Sequence, residues 1–127
     1  MGRFEIALDD GKPAYFNTKL PEYRSSKSAS VLLYCADRVI IPARSARVIH
    51  SGVKVNVADD ECFLVSNINP NLKRGIYLSN GIEVFDAEYD GEVMCMFMNP
   101  SDDNVIVEKD ELFAKGMFVK IQRPDDL

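Results

Sequence analysis

Acidic side chains are concentrated where this chain turns. In residues 79–91 a short apolar run, Ile82, Val84 and Phe85, lies between Asn80-Gly81 and a polar turn holding Asp86, Glu88 and Asp90. An Asn-Gly pair before such a run is a hairpin signal, so the stretch reads as a β-hairpin presenting carboxylates at one end. A second acidic turn, Asp59-Asp60-Glu61, has the donor type that hard cations take. Such ions need further converging oxygens, so a solvated turn is the simpler expectation and no metal site is assigned. Lys73 and Arg74 carry a charge that suits phosphate, but after Asn69-Pro70-Asn71 they read first as a basic surface turn. His50 is the only histidine. No Cys or Asp stands at a spacing that would complete a triad or a metal site with it, so it reads as a turn residue.

The elements that must position these groups are short. Residues 4–8 read as a first strand ending at Asp9-Asp10-Gly11, and residues 12–27, polar and holding Pro13 and Pro21, as an extended surface connection. Residues 30–36 read as a buried strand. Residues 38–41 and 46–49 read as short strands, and His50-Ser51-Gly52 as a tight turn into the alternating residues 53–57. Residues 62–65 follow as another buried strand. The most continuous apolar run is 92–98, with three Met in seven residues, and reads as a central strand covered on both faces. After a turn at 99–104, residues 105–107 and 112–122 supply the last strands. About ten short strands, frequent turns and no long amphipathic helix make an all-β barrel or jelly-roll domain.

At 127 residues the chain fits one domain, 1–127, with a single core. With 46% hydrophobic and 28% charged residues, its composition argues against disorder and membrane spans. A net charge of -5 argues against nonspecific nucleic-acid binding, which needs clustered Lys and Arg. Cys35, Cys62 and Cys95 are odd in number, far apart and set in apolar runs. They read as reduced core thiols and favour a cytoplasmic location. The first residues show no apolar segment of secretory type.

Several short matches resemble the trimeric dUTPase family. Asn80, Val84-Phe85-Asp86 and Tyr89-x-Gly91 are similar to its third motif, and Leu20-Pro21-Glu22-Tyr23 with Ser28-Ala29 to the lead-in to its first. The similarity runs over about residues 20–121, with residues 1–19 as an N-terminal extension, and implies a dUTPase-like β-barrel or jelly-roll fold and a homotrimer. In such trimers the strand at this point lines the threefold axis, so Val93, Met94, Met96 and Met98 are the interface candidates. The resemblance also implies roles. Asp86 would be the base toward water, Asn80 and Tyr89 would lie at the nucleoside, and Lys73 and Arg74 could replace the usual phosphate grip, with Mg²⁺ as cofactor.

The chain also departs from the family pattern. Leu32 stands where the first motif has Asp, and Ile68, Asn69 and Pro70 stand at the Arg-Ser-Ser of the second. Leu112 and Lys115 replace the Arg and Gln of the fourth, and Glu83 replaces a glycine beside the base. The Gly-rich, Arg-bearing fifth motif has no counterpart in the sequence. Leucine cannot accept a hydrogen bond or organise a magnesium-bound triphosphate. These departures favour a noncatalytic homotrimer without a cofactor. It would act as a structural or binding module with a protein assembly partner, such as a phage accessory or capsid-surface protein, cytoplasmic or virion-associated. The alternative is a Mg-dependent dUTP diphosphatase or nucleotide-binding protein using Asp86.

Overall fold

The structure, a computed structural model, describes residues 2–126. Its strands are β1 (Phe4–Ile6), β2 (Leu8–Asp9), β3 (Lys12–Pro13), β4 (Glu22–Tyr23), β5 (Val31–Tyr34), β6 (Val39–Ile41) and β7 (Ser45–Val55). They continue as β8 (Glu61–Ser66), β9 (Tyr77–Leu78), β10 (Glu83–Asp86), β11 (Glu92–Asn99), β12 (Val105–Val107) and β13 (Leu112–Lys120), with one helix, α1 (Asn69–Arg74). One sheet has the order β1-β7-β11-β9 and the other β10-β8-β13-β5-β4, with two small hairpin sheets, β12-β6 and β2-β3. All of these pairings are antiparallel.

The two large sheets close on one apolar core because β-branched and aromatic residues alternate with polar ones along the long strands. Ile49 and Val55 of β7 and Val93, Cys95 and Phe97 of β11 meet Val31, Leu33, Phe63, Val65 and Phe113 of the other sheet. Aromatic edges join the layers: Phe97 lies 6.2 Å from Phe113, and Phe4 lies 5.7 Å from Phe63, centroid to centroid. This is the expected all-β architecture.

Four local expectations are corrected. Residues 79–91 do not form a hairpin, because β9 pairs with β11 in one sheet while β10 pairs with β8 in the other. The Asn80-Gly81 turn carries the chain between layers, so that Leu78 is buried in the first and Phe85 in the second. His50-Ser51-Gly52 is no turn between strands but an irregularity inside the continuous β7. There residues 51–53 oppose the single residue Val93 of β11. Gly52 takes φ 74° at this point and packs on Thr18, where a Cβ would meet the side chain at 2.9 Å. The basic turn after Asn69 is α1, begun by Pro70 and closed by Gly75 in the left-handed conformation. Finally, β11 is covered on one face only: Val93, Cys95 and Phe97 point into the core, whereas Met94 and Met96 are exposed.

All three cysteines are buried and unpaired. Burial pushes the Cys35 thiol up to about 11 and the Cys95 thiol up to about 12.

Phe63 owes its place to Gly116 of β13, since a methyl at residue 116 would overlap the Phe63 ring. Gly116→Ala should therefore lower stability by roughly 1–3 kcal/mol or prevent folding, read as a lower urea midpoint. Because burial keeps the Cys35 and Cys95 thiols neutral to a higher pH in the folded state than in the unfolded chain, their contribution to stability is fully present below about pH 8.5. Stability should fall as pH rises from there toward 11–12. Ellman's reagent at pH 8 should label these two thiols slowly in native protein and rapidly in guanidinium.

Candidate functional site

Two surface concavities involve the residues singled out by chemistry. The first, about 430 Å³, forms where the loop before β5, the start of α1 and β13 converge; Ser28, Leu32, Ile68, Pro70, Leu112 and Lys115 line it, with Asn69 and Arg24 at its side. Antiparallel register explains the convergence, since Lys115 of β13 stands between Ser66 of β8 and Leu32 of β5. The side chains here are hydroxyl, amide, cationic or apolar, and no carboxylate lines the cleft. The positions separated in sequence as departures from three motifs thus form one wall.

The second concavity, about 550 Å³, lies at the other end of the same sheet and is lined by Asp59, Asp86, Ala87, Glu88 and Arg123. β10 carries Asp86 opposite Cys62 of β8, with its side chain exposed. The two concavities share no lining residue. Within this chain, Asp86 is therefore not placed on the Leu32 wall. Among the described residues, no group of three or more His, Cys, Asp or Glu converges as a metal site.

The other predicted nucleotide residues are committed to internal contacts or stand apart. Asn80 donates from Nδ2 to Glu83 Oε1 at 3.0 Å. Tyr89 donates its hydroxyl to the Glu92 carbonyl at 2.6 Å and packs its ring 5.1 Å from Phe85, with Gly91 beneath it. Its phenol is raised by burial and then by the nearby Glu92 carboxylate. Arg74 pairs with Glu111 and donates to the Ile106 carbonyl at 3.1 Å. Lys73 is exposed on α1. Neither Lys73 nor Arg74 lines the first cleft. Its two cations are Lys115 and Arg24, and Arg24 went unrecognised in the sequence because only the β4-β5 pairing brings it to the cleft.

His50 also has a partner that linear spacing concealed. Its Nδ1 lies 3.0 Å from Glu92 Oε1, which also accepts the Tyr15 hydroxyl at 3.4 Å; Glu92 Oε2 accepts the Gly52 N–H at 2.7 Å. Burial, followed by the Glu92 carboxylate, pushes the Tyr15 phenol up to about 12. This group ties β7, β11 and the N-terminal connection together. Of the interface candidates, Val93 belongs to the core, whereas Met94, Met96 and Met98 lie on the outward side of β11.

The dUTPase family model matches residues 17–126. The chain is 30% identical over 104 residues to the deoxyuridine 5'-triphosphate nucleotidohydrolase of Hydrogenobaculum sp., covering 80% of this chain and 72% of that protein. It is 28% identical over 114 residues to the enzyme of the same name from Rickettsia rickettsii, covering 85% and 75%. In three dimensions it is similar to the dUTPase of Streptococcus mutans, with TM-score 0.86 and 25% identity over 96% of this chain and 98% of that one. With the fold and its motif positions in place, the match over most of the chain shows that this protein belongs to the dUTPase family.

Proposed function

We propose that this protein is a noncatalytic member of the dUTPase family, a homotrimeric binding module that has kept the scaffold without the phosphate chemistry. One observation carries the reading: the wall on which motif positions one, two and four meet is floored by Leu32, Ile68, Pro70 and Leu112 and holds no carboxylate. Mg²⁺ takes oxygen ligands and organises a triphosphate through carboxylate and phosphate oxygens. The donors on this wall do not fit that ion, so no hydrolytic step is derived through it. The surviving Asp86 has a carboxylate suited to a general base, but it stands in the separate acidic concavity. That side chain and the names of the relatives favour the second reading, dUTP or related nucleotide hydrolysis with Asp86 as base.

The trimer is supported by the outward side of the four-stranded sheet. There Met94, Met96 and Met98 stand opposite His50, Val48 and Ala46 of β7, and Met98 is also paired with Tyr77 of β9. This strip is largely apolar, and Met94, Met96 and Tyr77 are exposed in the single chain. Contiguous apolar surface of this kind marks association sites.

Diphosphate release from a panel of deoxynucleoside triphosphates with Mg²⁺ should stay at the no-enzyme rate. Turnover that disappears in Asp86→Asn would instead establish the hydrolase reading. In sedimentation the wild-type protein should have the mass of a trimer, and Met96→Asp should shift it toward monomer by placing a charge in the apolar strip. A monomeric mass for both proteins would remove the trimer.

A further inference from the structure

Phe16 is 80% exposed, the highest exposure of any large apolar side chain among the described residues. The turn that carries it is fastened on both sides. Tyr15 packs its ring 5.8 Å from that of His50 and donates its hydroxyl to Glu92, while Thr18 seats on Gly52. Between them Asn17 turns the chain at φ 47°, a left-handed value that asparagine tolerates, and its carbonyl accepts Lys109 Nζ at 3.2 Å. Phe16 is thereby held outside its own core. His50 stands opposite Met94, so the turn continues the outward strip of Met94, Met96 and Met98. Apolar residues scattered singly are ordinary on a protein surface, whereas an aromatic ring beside an apolar strip enlarges one patch. Covering this patch strands no carboxylate oxygen, because Glu92 Oε1 faces His50 and Tyr15 and Oε2 accepts the Gly52 N–H.

We infer that Phe16 is an aromatic anchor for a second copy of this chain, packing on the methionine strip of the neighbouring subunit. The inference rests on the trimeric reading above and names the N-terminal turn as part of that interface. Continuity with the self-association strip selects a second copy as the occupant, and the chemistry matches. Aromatic residues and Met are enriched at the centres of interfaces, where charges are depleted. Met side chains adapt to an inserted ring, and their sulfur makes favourable contacts with it. A turn already fixed by Tyr15, Asn17 and Thr18 has little freedom left to lose on association, so burial of the Phe16 ring contributes to affinity with a small ordering cost.

The chain has no tryptophan, so Phe16→Trp places a single fluorescent reporter in the whole protein. At concentrations where sedimentation gives the trimer mass, emission of this variant should be blue-shifted and shielded from acrylamide. In the Phe16→Trp, Met96→Asp double variant, a monomer, emission should move to the red and quenching should rise to that of a solvated indole. Phe16→Ser should raise the trimer dissociation constant about tenfold or more. The same change made in the Met96→Asp monomer should leave its urea midpoint unchanged, since the side chain is exposed there, which separates lost association from lost folding. A Phe16→Trp trimer with solvent-exposed emission, or a Phe16→Ser trimer that dissociates at the wild-type concentration, overturns the inference and leaves the trimer standing. Wild-type protein that is monomeric at every concentration overturns both.

Discussion

Phe63 has room for its ring only because residue 116 of the adjoining strand carries no side chain. That close approach fixes the middle of the five-stranded sheet. Phe63 is opposite Phe85 of β10 on one side and Phe118 of β13 on the other, with centroids at 6.4 and 4.8 Å. Phe4 then closes on it from the second sheet. Aromatic pairs at these separations contribute beyond the area they bury, so one missing Cβ supports a cluster drawn from four strands. It also determines which side chains of β10 face outward. With Phe85 held inside, Val84 and Asp86 must project to the surface, and a one-residue slip would turn Asp86 into the core.

The other sheet depends on a polar contact. Glu92 is partly buried, and its carboxylate would be costly there without donors. The Gly52 N–H, the His50 ring and the Tyr15 hydroxyl all converge on it. They gather at the irregular pairing where three residues of β7 face one of β11. The bulge lets two long strands stay paired for the rest of their length, which aligns Met94, Met96 and Met98 on one exposed side. A hydrogen-bonded polar cluster thus positions an apolar surface.

Between these two supports, the five-stranded sheet carries opposite charges at its two ends. The Leu32 wall has cations around an apolar floor, and the Asp86 end has the acids. Triphosphate chemistry calls for cations, metal-organising oxygens and a base to converge on one ligand. Here the fold keeps the β10 carboxylate exposed while its motif-one position is a leucine. The chain keeps the family scaffold, and within one subunit these groups lie in two concavities.

Composition and alternation made the all-β class legible, because period-two patterning of Val, Ile and Phe has only one face to bury. Short residue matches similarly exposed the family. Local sequence could not show which strands become neighbours. Asn80-Gly81 has the chemistry of a hairpin turn, yet β9 and β10 enter different sheets because Leu78 and Phe85 each find a separate aromatic or aliphatic surface. His50 lacked a partner within its own stretch and found Glu92 42 residues away. Arg74 was an available cation in sequence and is paired with Glu111 in the fold, while Arg24 became part of a cleft through the β4-β5 pairing. The sequence by itself determined the side-chain inventory and the strand periodicity, both of which act over a few residues. Only the tertiary structure decided which charges meet and which stay free, because those contacts arise from packing across long sequence separations.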